Sequence, residues 1–241
     1  MPEPRRILFV SNSQGTAAGL EGDLRWSNYP LLVQERMPHL DCRYWMTSDL
    51  SVSAVDGLFR EIVMQHRADL VILQCGIIEC ALRILPKGLR DLLRVLPGGR
   101  YATKALHDRQ KAWRGLLNRL GLRFHDIELP AFRHHLRSIH GKCVQAGFRL
   151  VVLRIPLLSE QCERDVLPGN NNVIGEYNRA IDEFTGESGV ASLEPFENNP
   201  DATRNSLYLK DSVHFSVTGH RLIAENLMGF LSRIPVAGVN R

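Results

Sequence analysis

A chain of 241 residues that is 44% hydrophobic and 23% charged has enough apolar surface to bury a sizeable core, which excludes a disordered protein and fits one domain over residues 1–241. Thirty Lys and Arg against 26 Asp and Glu leave a formal charge of +4, too small an excess to mark a dedicated nucleic-acid binder, so no nucleic-acid partner is expected. The five cysteines, Cys42, Cys75, Cys80, Cys143 and Cys162, are odd in number and lack CxxC spacing, which argues against a disulfide framework or a zinc knuckle and fits a reducing compartment.

The first apolar run, Ile7 to Val10, is too short for a secretory core, and nothing later approaches a membrane span. The cytoplasm is therefore the expected location. The same run reads as a buried strand that empties into SNSQG and the glycines Gly15 and Gly19, the signature of a tight turn leading to a helix. Further apolar runs follow at Cys42–Met46, Leu70–Cys75, Arg149–Ile155 and the weaker Val190–Leu193. Between the second and third, Val55, Leu58, Phe59, Ile62 and Val63 recur three and four apart, one face of a helix. Strands alternating with helices predict a mostly parallel sheet covered on both faces.

From Cys80 to Gln145 the alternation stops, and the sequence predicts a helical insertion at about 80–145. Its stretch YATKALHDRQKAWRGLLNRL is rich in helix formers and brings Ala105, Trp113, Leu116, Leu117 and Leu120 near one another, with breaks at Pro86, Pro97 and Pro130. The densest basic cluster, Arg133, His134, His135, Arg137 and His140, reads as the wet face of a helix. The polar segment Glu197 to Ser206 reads as a loop before a last helix, capped by Ser216 or Thr218 and striped with Ile223, Leu227, Phe230 and Leu231.

In open parallel sheets ligands bind beyond the carboxyl ends of the strands, and Ser13 stands just after the first one. A serine there commonly serves only a turn or cap. As a nucleophile it needs an imidazole to take its proton and a carboxylate to orient the imidazole. The C-terminal block YLKDSVHFSVTGHRLIAENLMGFL supplies both, with Asp211 and His214 three residues apart, a separation one turn can close. The bland alternative is a structural pair closing the final loop. GxxxxGK[ST], HExxH and GxSxG are all absent, which removes the usual support for nucleotide hydrolysis, zinc proteolysis and the α/β-hydrolase arrangement.

Taken in order, the strand with SNSQG, LVILQCGIIE, EYNRAIDEFTGESGVASLEP and DSVHFSVTGHRLIAE resemble the blocks of the SGNH hydrolases, also called GDSL esterases and lipases. The last block is the most specific match. The resemblance implies an α/β fold, a three-layer α/β/α sandwich around a five-stranded parallel sheet of flavodoxin-like topology, with the insertion as a cap. It also implies Ser13 as nucleophile, His214 as general base and acid, and Asp211 as the carboxylate that orients it. The implied activity is hydrolysis of a carboxylic ester through an acyl-enzyme, with a small acyl group such as acetyl on a carbohydrate as substrate and no metal or cofactor. A binding or scaffolding role for the same fold, or acyl transfer by the same serine, are the alternatives.

The sequence departs from the family pattern at three places. Ser11-Asn12-Ser13 replaces Gly-Asp-Ser, Ser48 of MTSDLS falls near the second-block glycine, and Gly76-Ile77-Ile78-Glu79 replaces Gly-x-Asn-Asp, removing an asparagine that would donate to the oxyanion. Ser48, Gly76, Ile78 and Glu79 are thus the candidate oxyanion and substrate-binding positions, and Asn12, Gln14 and Arg83 are further side-chain donors. Glu79 either faces the crevice or braces the first loop. Loss of one oxyanion donor typically costs about 3 kcal/mol, on the order of a hundredfold to a thousandfold in turnover. Cys75 and Cys80 read as buried small residues, and His220 as a surface or packing residue without a metal role.

Overall fold

The apolar runs of the sequence become the strands of one sheet. A computed structural model describes residues 5–16, 18–98, 101, 113–114, 116–117, 120–196, 204–211 and 213–234. The strands are β1 (Arg5–Ser11), β2 (Leu40–Met46), β3 (Leu70–Gln74), β4 (Arg149–Leu153) and β5 (Ala191–Leu193). All pairings are parallel, in the order β2-β1-β3-β4-β5.

Parallel strands covered on both faces need no polar side, which is why Ile7, Leu8, Phe9 and Val10 are all 0% exposed and read as a continuous run. The period of two then sorts them. Leu8, Val10, Val71, Leu73, Leu150 and Val152 join one core with helices α2 (Val52–His66), α5 (Leu129–Ala146) and α7 (Asn170–Ser188). Ile7, Phe9, Leu70, Ile72, Val151 and Leu153 join the other with α1 (Tyr29–Arg36) and α8 (Val217–Arg233). The result is the three-layer α/β/α sandwich of flavodoxin-like topology that the resemblance implies.

After β1 the chain moves outward to β2 and then returns to β3 on the other side of β1. Strand order reverses there, so a crevice opens at the carboxyl ends of β1 and β3.

Beyond β3 come the short α3 (Ile77–Cys80) and α4 (Lys87–Val95). The expected insertion extends too far at its end. Residues of α5 bury Phe132, Leu136, Ile139 and Cys143 against the sheet, so α5 is the crossover helix of the sandwich, and Gly147 at φ +74° ends it. The error has a local cause: a buried crossover helix and a cap helix share one periodicity. The helix α6 (Glu160–Asp165) follows β4. Ala105 of the predicted cap stripe and residues 197–203 of the predicted loop lie outside the described residues. Arg204–Leu207 forms a turn of 3-10 helix across the end of the predicted loop, and Trp113, Leu116 and Leu120 are exposed.

Three of the five residues of the basic cluster on α5 are paired. Arg133 and Arg137 meet Glu183 and Glu187 of α7 at 2.6 and 2.9 Å, and His135 meets Asp56 of α2 at 2.8 Å. All five cysteines are buried and free. No described helix is long and apolar enough to cross a membrane.

Candidate active site at the carboxyl rim of the sheet

The turn that carries Ser13 is folded back on the end of β1. Gly15 N–H donates to Asn12 O at 3.0 Å, Thr16 N–H to Ser13 O at 3.3 Å, and Gln14 N–H to Asn12 Oδ1 at 3.0 Å. A Cβ on Gly15 would lie 2.1 Å from Ser11 Oγ, so only glycine fits where the turn crosses the strand. Beneath it, Ser11 Oγ donates to Gln74 Oε1 at 2.6 Å and Tyr29 OH donates to the same oxygen at 2.8 Å. Ser13 itself is half-buried, poised between this buried floor and solvent.

The imidazole is delivered by a different local device. Tyr208 and Phe215 pair as an antiparallel bridge, closed by Leu209 N–H to His214 O at 2.8 Å and Ser216 N–H to Leu207 O at 2.9 Å. Ser216, not Thr218, caps α8, accepting Gly219 N–H at 3.2 Å. Phe215 is 0% exposed among the rings of Phe196, Tyr208 and His220, which pins the loop at one end. Within the loop, Asp211 Oδ1 accepts the Val213 and His214 N–H groups at 2.9 and 3.0 Å, while Oδ2 lies 2.6 Å from His214 Nδ1. Burial pushes the Asp211 carboxyl up, but these bonds, led by the one from His214, outweigh it and hold it below its ordinary range. An ionised Asp211 accepts the Nδ1–H hydrogen bond and so orients the ring, which leaves Nε2 of His214 as the nitrogen that can accept a proton.

One hydrogen bond joins the two loops. Gln14 Nε2 donates to Val213 O at 3.1 Å, linking the residue after Ser13 to the residue before His214. Ser13 Oγ and the His214 ring make no direct hydrogen bond in this structure, as is common before substrate binds. A second contact lies deeper: Tyr29 N–H donates to His220 Nδ1 at 3.3 Å, tying α1 to α8. His220 is 1% exposed, and its packing reading holds.

No family model matches this sequence, and no curated protein does. Solved structures do. The acetylxylan esterase Axe2 from Geobacillus stearothermophilus superposes with a TM-score of 0.62 at 16% identity, covering 95% of each chain. A member of the lipolytic G-D-S-L family from Veillonella parvula gives 0.62 at 10% identity, covering 95% of this chain and all of its own. The esterase EstA from a Pseudoalteromonas species, solved inhibited by monoethylphosphonate, gives 0.59 at 12% identity over 95% and 97% of the two chains. The chain has the SGNH-hydrolase fold.

Within that SGNH fold Glu79 takes the bracing role, the better supported of the two the sequence offered, though toward α2 and the β3 rim and not the first loop. Glu79 is 0% exposed; Oε2 accepts Gly76 N–H at 2.9 Å and Oε1 accepts Val52 N–H at the start of α2. Both oxygens are spent on main chain, so Glu79 is a brace between the β3 rim and a helix N-terminus, not a substrate ligand. Burial pushes its carboxyl up, against the N–H bonds and the nearby Arg83. Gly76 is likewise withdrawn as an oxyanion donor, because its N–H is held by Glu79. Its φ of +111° and a virtual Cβ contact of 2.3 Å with Ile155 explain why glycine stands there. Ile78 is a partly buried side chain on the core, and its carbonyl accepts Arg83 Nη2 at 3.2 Å, so it brings no side-chain donor.

Of the other side-chain candidates Arg83 and Gln14 are committed, whereas Asn12 Nδ2 is buried without a hydrogen-bond partner among the described residues. Arg83 is bound to Asp126 at 2.9 Å through Nε, Gln14 to Val213, and Asn12 is 0% exposed with its Nδ2 enclosed. Ser48 is exposed in the turn after β2, beside the end of β1, where Ser11 pairs with Met46. The main-chain N–H groups of Ser13 and Ser48 bond to no protein acceptor among the described residues. Sequence reading missed the Gln74–Tyr29 support under the turn. Its one visible signal was a polar Gln74 inside an otherwise apolar strand.

Proposed function

We propose that this chain is a serine hydrolase of SGNH type that cleaves a carboxylic ester. The observation that carries the reading is the Gln14–Val213 hydrogen bond, which holds an oriented Asp211–His214 pair beside the turn bearing a half-buried serine. In the first step His214 Nε2 takes the Ser13 proton as Oγ bonds to the acyl carbon, and the ester C–O bond then breaks as the imidazolium protonates the leaving alcohol. Water, deprotonated by the same nitrogen, attacks the acyl carbon, and the bond to Ser13 Oγ breaks as the imidazolium returns a proton to Oγ and the carboxylic acid leaves. Charge on the tetrahedral oxygen falls to the N–H groups of Ser13 and Ser48. With no asparagine at Ile78, turnover is expected to be lower than a site with that donor by on the order of a hundredfold.

A short acyl group on a sugar is the substrate we favour, since an acetylxylan esterase is among the similar folds. We read the chain as one domain, with the segment from α3 to the start of α5 as its insertion. Five unpaired thiols fit a reducing compartment such as the cytoplasm.

Fluorophosphonate labelling of folded wild-type protein, compared with Ser13→Ala and His214→Gln, tests the reading. Label on the wild type is expected to vanish in Ser13→Ala, and p-nitrophenyl acetate turnover to fall by about a thousandfold or more in each variant. A wild type that neither labels nor turns over ester would end the proposal. Adding a sugar acceptor and analysing products distinguishes hydrolysis from transfer, because transfer leaves the acyl group on the sugar.

A further inference from the structure

Buried hydroxyls lie directly under the turn that carries Ser13. Ser11 and Gln74 pair in register across β1 and β3, and Gln74 Oε1 accepts the Ser11 hydroxyl at 2.6 Å and the Tyr29 hydroxyl at 2.8 Å. All three side chains are buried. A Cβ on Gly15 would lie 2.1 Å from Ser11 Oγ and 3.1 Å from Tyr29 OH, so the turn rests in contact with both hydroxyls. Burial pushes the Tyr29 phenol up, against a smaller pull from Ser11, so it remains a neutral hydroxyl that donates. From the same residue a second path runs to the imidazole. Tyr29 N–H donates to His220 Nδ1 at 3.3 Å, the two rings stack with centroids 6.0 Å apart, and the His220 ring meets Phe215, the neighbour of His214, at 5.6 Å.

Packing alone does not call for this cluster. The strand that carries Gln74 is otherwise Leu70, Val71, Ile72 and Leu73, and Gln74 Nε2 is enclosed without a hydrogen-bond partner, a cost that an apolar side chain of similar shape would avoid. What the amide provides is a fixed acceptor. Two hydroxyls bonded to one oxygen have their positions set, and the turn resting on them is set with them.

We propose that Tyr29 is a positioning residue for both halves of the site: its hydroxyl, held by Gln74, sets the height of the Ser13 turn, while its N–H and ring hold the helix that begins beside His214. This role rests on the hydrolase reading and adds to it a support beneath the Gln14–Val213 tether. Tyr29 is buried below the turn and touches no substrate, so its effect falls on the chemical step and not on binding.

Tyr29→Phe tests it, because the substitution removes the hydroxyl and keeps the ring and the N–H to His220. Fluorophosphonate labelling counts the competent sites in each preparation, and p-nitrophenyl acetate kinetics are read per labelled site. kcat is expected to fall by about tenfold with KM within about twofold of the wild type. Gln74→Leu is expected to give a similar loss, and adding Tyr29→Phe to it a further loss of no more than about twofold, because the hydroxyl acts through the amide. Asp56→Ala, which weakens the fold away from the turn, is the control and is expected to leave kcat unchanged. Tyr29→Phe alone decides the matter if Gln74→Leu does not fold. An unchanged kcat in Tyr29→Phe, a loss confined to KM, full multiplication of the two losses in the double variant, or an equal kcat loss in Asp56→Ala would each overturn the positioning role and leave the hydrolase reading standing. A wild type that neither labels nor turns over ester would remove both.

Discussion

His220 shows how a single buried residue makes the fold sensitive to acid. Its Nδ1 accepts Tyr29 N–H, which only an unprotonated nitrogen can do, and burial, followed by the nearby His214, pushes its pKa down to about 4. An unfolded histidine titrates near 6.5, so between roughly 6.5 and 4 the unfolded chain binds more protons and stability falls as pH falls. This one group is expected to cost up to about 3 kcal/mol across that window. His220→Asn retains an acceptor for Tyr29 and cannot titrate, so it is expected to flatten the acid slope while lowering stability at neutral pH. Urea unfolding of both proteins at several pH values measures it, and an unchanged slope would assign the acid sensitivity elsewhere.

At the scale of elements, helices α2 and α5 are joined by one carboxylate. Asp56, 8% exposed, accepts from Lys142 at 2.6 Å, Ser138 at 2.7 Å and His135 at 2.8 Å. Burial pushes its carboxyl up, but the bonds from Lys142, His135 and Ser138 together hold it below its ordinary value. For a depressed carboxylate the stabilisation is present above the unfolded pKa and is lost as pH falls through the folded one. Asp56→Ala strands three donors. It is expected to cost about 2 kcal/mol in urea unfolding at neutral pH, with Lys142 kept partly solvated, and to leave ester turnover unchanged. A loss within about 0.5 kcal/mol would mean water replaces the carboxylate at no net cost.

For the whole molecule the decisive act is bringing the chain ends together. Sheet order puts β1 at the switch point, the Phe215 ring cluster anchors the start of α8, and Gln14 then reaches across to Val213. Gln14→Ala removes that tether without touching Ser13 or His214. Stability is expected to fall by about 1 kcal/mol. Turnover is expected to fall by about tenfold to a hundredfold, because small misplacements of reacting groups are expensive. Steady-state kinetics on p-nitrophenyl acetate check it; unchanged kcat would show that the two loops hold their positions without the tether.

Features set by neighbours along the chain were legible in the sequence. Burial on both faces makes each strand a continuous apolar run, so β1 and β3 were readable from composition alone. Asp211 meets His214 across three residues, and Ser216 caps α8 across three more, both within the reach of one turn. Contacts between distant segments were not legible. Glu79 became a brace because Val52, 27 residues earlier, offered its N–H, and Gly76 lost its donor to the same carboxylate. The stripe of α4 has the period of a buried helix, yet the structure leaves Leu89, Leu92, Val95 and Leu96 exposed. Periodicity and propensity are properties of a few adjacent residues, whereas which face is covered, and which oxygen a donor meets, depends on segments that only folding brings alongside.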